Sequence, residues 1–306
     1  MLVVNPKATA TSERERDVLT RALGSDLKLD VFQTTHRGHA IELGAHAVEA
    51  GVDLVVVLGG DGTINEIVNG LLGSGPWQGA TADAPALAVV PGGSTNVFSR
   101  ALGIARDPVV ATSELLDALR AGRSRRIGLG RVDDRWFTFT AGLGIDAGAV
   151  RRVEVARTKG KSPTPSRYTR ATVRSFLAMD RRHPSLTLER PGEEPVSGLF
   201  LGIAANTAPW TYFRTKPIVL TADVSFDTGL DLVAMRRMGI AGTLWSVSGM
   251  ITSNGVRGRS VSTFRDLREF RLAGEVELPL QVDGDYLGER TSATFRAVPS
   301  ALRVIA

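Results

Sequence analysis

The sequence predicts an α/β protein in two parts: an N-terminal doubly wound parallel-sheet domain over residues 1–126 and a C-terminal, mostly antiparallel β domain over 127–297. Three observations predict it. Strand and helix patterns alternate through the first 126 residues, and an unbroken apolar run, Leu54-Val55-Val56-Val57-Leu58, stands among them. From Ile127 onward short period-2 segments take over.

In the first part, strands are expected at Leu2 to Val4, Leu27 to Phe32, Leu54 to Leu58 and Ala86 to Val90. Helices are expected near Ser12 to Leu23, His39 to Ala50, Ile64 to Leu72 and Pro108 to Ala121. The run at 54–58 suits a strand buried on both faces. Ile64, Ile67, Val68 and Leu71 fall at the i, i+3, i+4, i+7 spacing of a helix face. Thr63 and Glu66 read as a Thr-x-x-Glu capping box, which starts that helix at the end of Gly59-Gly60-Asp61-Gly62-Thr63. In the second part, Asp133-Asp134 reads as a hairpin turn before Trp136 to Thr140. Further strands are expected at Leu186 to Glu189, Gly198 to Ala205, Leu230 to Met235, Glu269 to Leu272, Val276 to Val282 and Thr291 to Ala297.

A length of 306 residues suits two domains, and 43% apolar with 23% charged residues is ordinary for a soluble globular protein. No stretch approaches the ~18 to 20 apolar residues that cross a bilayer, and the start shows no cleavable signal pattern. The absence of cysteine excludes disulfides and thiolate metal sites and fits the cytoplasm. The net charge of +5 is uneven: residues 151 to 182 hold ten Arg or Lys against Glu154 and Asp180, a net +8, which leaves the rest at −3. Such a patch suits an anionic partner (phosphate, nucleic acid or lipid headgroups) or is simply a solvated basic surface.

In a doubly wound sheet, ligands bind beyond the carboxyl ends of the strands. Four polar or glycine-rich turns follow those ends here: Asn5-Pro6-Lys7-Ala8-Thr9, Thr34-Thr35-His36-Arg37-Gly38, Gly59 to Thr63, and Pro91-Gly92-Gly93-Ser94-Thr95-Asn96. Together they make a site of the size of a nucleotide. The strand, glycine turn and helix start at 54–63 form an anion site, because free N–H groups and the positive dipole end face outward. Asp61 would repel a phosphate there unless a cation lies between them, so it suggests Mg²⁺; a turn-and-cap role is the alternative.

Gln281-Val282-Asp283-Gly284-Asp285 places two carboxylates two residues apart, able to take a proton and bind a cation, or to form an ordinary Asp-Gly turn. Asp223, Asp227 and Asp231 form another acidic group, a structural Mg²⁺ site or a turn. Gly160-Lys161-Ser162 lacks the first glycine of a P-loop and a preceding strand. His36, His39 and His46 lack the spacing of a zinc metalloprotease site.

Taken in order, Asn5-Pro6, Thr34-x-x-x-Gly38-x-Ala40, Gly59-Gly60-Asp61-Gly62-Thr63-x-x-Glu66, Pro91-Gly92-Gly93-Ser94-Thr95-Asn96, Gly142-x-Gly144-x-Asp146-Ala147 and Val282-Asp283-Gly284 resemble the bacterial diacylglycerol kinase and lipid kinase family, related to sphingosine kinases. The resemblance runs over nearly the whole chain. It implies an ATP-binding first domain, joined by a returning strand at about 298–306, and a lipid acceptor held by the second. By the same resemblance Asn5, Pro6, Lys7, Ala8, Thr9, Thr34, Gly60, Asp61, Gly62, Thr63, Ile64, Asn65, Glu66 and Ser94 would line the ATP site. Asp283 would be the catalytic base, with Asp285 and Asp61 as further catalytic carboxylates, and Asp223, Asp227 and Asp231 would lie near a structural magnesium.

The implied reaction is ATP- and Mg²⁺-dependent phosphorylation of a lipid hydroxyl, diacylglycerol to phosphatidate first. The implied partners are ATP, the lipid acceptor and an anionic membrane surface, with no nucleic acid and with a homodimer as an option; the implied location is cytoplasmic, peripheral at the inner membrane. Three departures stand out: Asp285 where the family usually has Glu, Val97 where many members have Asp, and an acidic segment that does not align cleanly. An NAD kinase-like soluble enzyme and a non-catalytic lipid- or nucleotide-binding protein are the alternatives.

Overall fold

Hydrophobic alternation in one strand places a helix layer on each side of the sheet. In the computed structural model, which describes residues 1–8, 12–75, 84–144, 183–213, 216–237, 255–256 and 258–306, that strand is β3 (Leu54–Gly59). Its Val55 and Val57 pack with Ala40, Leu43, Ile64, Ile67 and Val68, whereas Val56 and Leu58 pack with Leu19, Leu23, Leu115 and Leu116. Thus α2 (His39–Glu49) and α3 (Asp61–Leu72) cover one face, and α1 (Glu13–Asp26) and α5 (Pro108–Arg120) cover the other. β1 (Leu2–Val4), β2 (Val31–Gln33), β3 and β4 (Ala86–Pro91) are mutually parallel in the order β2-β1-β3-β4. A one-turn helix, α4 (Val97–Ala101), precedes α5.

The helix ends follow capping chemistry. Ser12 and Glu15 form a reciprocal capping box on α1, and Asp107 caps α5 by accepting from the Val109 and Val110 amides. The helices α2 and α3 touch at glycines. A Cβ on Gly44 would lie 2.7 Å from the Ile67 carbonyl oxygen and 2.9 Å from the Gly70 Cα, so the backbones approach too closely for any side chain.

Beyond α5 the chain is β-rich: β5 (Arg125–Val132), β6 (Arg135–Phe137), β7 (Thr140–Leu143), β8 (Leu186–Glu189), β9 (Val196–Leu199), β10 (Leu201–Ala205), β11 (Thr211–Phe213), β12 (Lys216–Ile218), β13 (Leu230–Met235), β14 (Val261–Leu267), β15 (Glu269–Val282) and β16 (Asp285–Val304). All pairings here are antiparallel except that of the last strand with β4. The principal path through the 14-stranded sheet is β14-β13-β10-β7-β15-β16-β4-β3-β1-β2. β16 joins the two parts. Its first residues pair with β15, and Val304 pairs in parallel with Leu87 of β4. Between them lies a register shift at Val298/Leu302, with Ser300 at φ 50°, and such a bulge bends the strand.

Several strands run differently from the expectation. Glu269 to Leu272 and Val276 to Val282 are one continuous strand with register shifts, and Thr291 to Ala297 is part of a twenty-residue strand. The expected strand Trp136 to Thr140 is interrupted after Phe137, because the next backbone N–H groups turn to a side chain instead of a neighbouring strand. Asp133-Asp134 does form the two-residue turn between β5 and β6. Thr9, Asp146, the basic segment 151–182 and the apolar stretch 238–251 lie outside the described residues. Among the described residues no helix is long and apolar enough to cross a membrane.

Candidate functional site

The start of α3 is the centre on which the turns converge. Gly60 is its N-cap in extended conformation and offers no side chain, so the N–H groups of the first turn have no intrahelical acceptor. The expected capping box is absent: the helix begins at Asp61, two residues before Thr63, and both box residues are used elsewhere. Thr63 Oγ1 accepts from Asn5 Nδ2 at 2.9 Å. The Glu66 carboxylate accepts from the Gly38 and Ala40 amides at 3.0 and 3.3 Å. It thereby caps α2, whose own N-cap Gly38 has φ 88° and no side chain. α3 therefore anchors both the 5–8 turn and the 34–38 turn.

The glycines divide into two kinds. A Cβ on Gly60 would meet Gly93 Cα at 3.2 Å, and one on Gly92 would meet Ala8 Cβ at 3.1 Å and Gly59 Cα at 3.2 Å. These glycines let the 59–60 and 92–93 backbones pack on each other. Gly62 is exposed, with nothing within 4 Å of a Cβ, and so it is the glycine that keeps the helix start open to a ligand. Open space beside the first turn leaves room for a phosphate group at this helix N-terminus.

Asp61, Asn65 and Asn69 form a polar stripe at i, i+4, i+8 on α3, and each faces the second half of the chain or the 96–98 segment. The Asp61 carboxylate accepts from the amides of Val97 and Phe98, both at 3.0 Å, and so caps α4. Burial pushes its carboxyl up to about 6 against these hydrogen bonds, and the nearby Asp283 charge adds to the rise. Asn65 Nδ2 donates to Asp283 Oδ2 at 2.8 Å, and Arg135 Nη2 donates to Asn65 Oδ1 at 2.8 Å. Arg135 thus fixes which end of the Asn65 amide faces Asp283. Asn69 clasps Trp136, accepting from its backbone N–H at 2.9 Å and donating to its carbonyl at 3.1 Å.

Asp283 and Gly284 are the two loop residues between β15 and β16, at φ 47° and 86°. Two positive φ values mark the tight hairpin turn for which Asp-Gly is suited. Its carboxylate takes five donors. Oδ2 accepts from Asn65 Nδ2, Thr138 N–H at 2.7 Å and Thr138 Oγ1–H at 2.8 Å; Oδ1 accepts from the Phe139 and Thr140 amides at 3.0 Å. Burial raises the Asp283 carboxyl from its usual range, opposed by these bonds. Of the five donors only the Thr138 hydroxyl turns away by rotating one bond.

The remaining expected residues scatter. Asp285 lies 3.6 Å from Arg37, linking the hairpin to the 34–38 turn. Ile64 is a core residue packed among Val55, Val57 and Ile67. Pro6, Lys7 and Ser94 are exposed and Ala8 is half-buried, while the Thr34 amide donates to Val4 and continues the β1–β2 pairing. Asp223, Asp227 and Asp231 are not gathered. Asp223 pairs with Arg265, and Asp231 Oδ1 accepts from the Asp266 amide while its Oδ2 is buried without a partner. Among the described residues no three acids or histidines converge to hold a metal. Sequence reasoning missed Asn69, Arg135 and Thr138; the i, i+4, i+8 polar stripe was the available signal for the first.

Mg²⁺ is tested by the donor set at Asp61. Each oxygen already accepts an amide N–H, which leaves lone pairs for one cation contact. That fits an ion that takes its other ligands from phosphate oxygens and water.

Residues 1–132 match the family described as the diacylglycerol kinase catalytic domain. A diacylglycerol kinase of Bacillus subtilis (strain 168) is 39% identical over 149 residues, 47% of this chain and 45% of that protein. One of Staphylococcus carnosus (strain TM300) is 24% identical over 282 residues, 89% of this chain and 83% of that protein. A crystal structure of a diacylglycerol kinase from Bacillus anthracis str. Sterne has a TM-score of 0.68 at 18% identity, covering 99% of this chain and 95% of that one. An NAD kinase from Archaeoglobus fulgidus in complex with ATP has a TM-score of 0.55 at 15% identity, covering 100% and 92%. At such identities the two structures speak for the fold alone. The Bacillus subtilis match spans less than half of that relative's length. The likeness to the diacylglycerol kinase and lipid kinase family, read from the motifs, is thus present in the family match over residues 1–132 and in the sequences of relatives, and the solved structures share the fold.

Proposed function

We propose that the chain is a lipid kinase that transfers the γ-phosphoryl of ATP, with Mg²⁺, to a lipid hydroxyl, with diacylglycerol as the first acceptor to consider. The observation that carries this reading is the α3 start. An open anion site at Gly62 lies one residue from Asp61, and Asn65, one turn on, holds the hairpin carboxylate of Asp283. Phosphoryl transfer needs mainly positioning and charge neutralisation. In this reading the first-turn N–H groups of α3 orient the phosphates, while the Asn5 and Thr34 turns border the nucleotide. Asp61 would hold Mg²⁺, whose chemistry there would be neutralisation of phosphate charge. Asp283 takes the acceptor hydroxyl proton once the Thr138 hydroxyl turns away and frees a lone pair. Asn65 and Arg135 hold it in place meanwhile.

The lipid acceptor places the protein at a membrane surface, peripheral and on the cytoplasmic side, and the +8 segment at 151–182 is the part of the sequence suited to anionic headgroups. The NAD kinase-like fold keeps a soluble acceptor as the second reading. ATP turnover with diacylglycerol, sphingosine, NAD or no acceptor tests both. Turnover that requires diacylglycerol is the expected result, and turnover that requires NAD overturns the lipid reading.

A further inference from the structure

We infer that Arg100, held face-on against the Tyr212 ring, is the receptor for the terminal phosphate of the nucleotide, gripping it from the α4 side of Asp61; the inference rests on the phosphoryl-transfer reading above. The geometry begins with α4. Asp61 accepts the amides of Val97 and Phe98, which fixes that one-turn helix against the start of α3. Arg100 follows on the same turn. Its guanidinium carbon sits 3.0 Å from the centroid of the Tyr212 ring, supplied by β11 from the other half of the chain.

Stacking on a ring occupies the face of a guanidinium and leaves its N–H edges directed outward. Those edges have no use within the fold: among the described residues no carboxylate, carbonyl or hydroxyl accepts from any of the five N–H groups of Arg100. Exposed arginines such as Arg14, Arg21 and Arg106 also lack an acceptor but stand in water, whereas the half-buried Arg135 and Arg190 have theirs in Asn65 and Glu193. Arg120 pairs with Asp26, Arg271 with Glu189 and Arg296 with Glu269. Arg100 is half-buried, close enough to Arg106 for mutual repulsion, and both it and Tyr212 feel the Asp61 charge. A stacked, half-buried arginine with free donor edges, beside a carboxylate suited to a divalent cation, is arranged for bidentate recognition of a phosphate. The step it serves is the one above: the bond from the γ-phosphorus to ADP breaks, the bond to the acceptor oxygen forms, and the hydroxyl proton goes to Asp283.

The full-length protein tests this with ATP and ADP binding by calorimetry and turnover by ADP release. Arg100→Met should keep the wild-type melting temperature and ADP affinity, weaken ATP binding by about tenfold, as expected for one charge-assisted hydrogen-bonding group, and lower kcat by about 10²-fold. Arg100→Lys should recover part of both losses, and Tyr212→Leu should move both readouts the same way by a smaller factor. A loss of ATP and ADP affinity in equal proportion would assign Arg100 to the fold alone and overturn the inference. So would Arg100→Met turnover within threefold of wild type. If the wild type transfers phosphate to no acceptor, the kinase reading fails separately, and the ATP-to-ADP affinity ratio of Arg100→Met still decides: an unchanged ratio refutes the receptor role.

Discussion

Replacing Asp283 by Asn isolates what the carboxylate does for the fold from what it does for chemistry. The carboxylate accepts three donors on one oxygen and two on the other. An amide has one oxygen and one NH₂ group, so whichever way it turns, at least two donors face another donor. If the NH₂ replaces Oδ1, the orphans are the backbone N–H groups of Phe139 and Thr140, which interrupt the strand there. If it replaces Oδ2, they include the Thr138 N–H and Asn65 Nδ2, because the Thr138 hydroxyl can rotate to become an acceptor. Each buried orphan costs about 1–3 kcal/mol, so the substitution should destabilise by roughly 2–6 kcal/mol. That is a large part of the ~5–15 kcal/mol that a domain has in total. Urea unfolding gives the number directly, and Asp285→Asn is the comparison. Asp285 has a single, half-exposed ion pair at 3.6 Å, worth less than about 1 kcal/mol. A loss below about 1 kcal/mol for Asp283→Asn would refute the five-donor argument. If the variant stays folded at low temperature with ATP bound, a kcat lowered by ~10²–10⁴ would mark the general base, and a loss of a few fold would shift that role to another carboxylate.

Four further outcomes follow from the geometry. Gly62→Val should leave stability unchanged and weaken ATP binding roughly tenfold, the value of one or two hydrogen bonds, whereas Gly60→Val should destabilise by pushing the 59–60 and 92–93 backbones apart; calorimetry and melting curves that show the reverse would misplace the ligand-facing glycine. Gly44→Ala should cost about 1–3 kcal/mol by forcing α2 from α3, while Gly24→Ala, whose Cβ meets only Leu29 Cδ1 at 3.9 Å, should be neutral or stabilising by denaturant unfolding. The Asp61 carboxyl, at about 6 against an ordinary 3.8, favours its protonated form in the fold, so its stabilising contribution is complete below pH 3.8 and is lost as pH rises through 6. Without nucleotide or metal, wild-type stability relative to Asp61→Asn should therefore fall by roughly 2 kcal/mol from pH 4 to 7.5, reduced from the full two-unit value because the site is not fully enclosed; a relative gain with pH contradicts this. Vesicle binding should require anionic lipid and weaken with salt, and Arg167, Arg170 and Arg174 replaced together by Ala should reduce it, whereas equal binding to neutral vesicles would remove the 151–182 segment from that role.

The sequence by itself determined the elements whose signals are local and repeated. β3 and β4 are runs of apolar residues buried on both faces, and they fall within a residue of the expected bounds. The helix face of α3 follows from the spacing of Ile64, Ile67, Val68 and Leu71, and all four core positions are buried as that spacing requires. The glycine loop, its strand and its helix were legible for the same reason: three consecutive local patterns agreed. β5 was not, since its alternation is carried by two residues alone, Ile127 and Leu129 between glycines after Arg125-Arg126, and its burial comes from β16 and β6 on either side. The capping box was misread because Thr63 and Glu66 have local spacing but distant partners, the 5–8 turn and the α2 start. Only the tertiary structure decided that Gly60 serves packing and Gly62 faces open space, since the two have identical side chains and differ in what lies opposite. It alone joined residues 65, 135 and 283 into one network, because separations of 70 and 218 residues carry no periodic signal. Local patterning specifies elements; which polar groups they bring together depends on how those elements pack, and in this protein the chemistry sits at that junction.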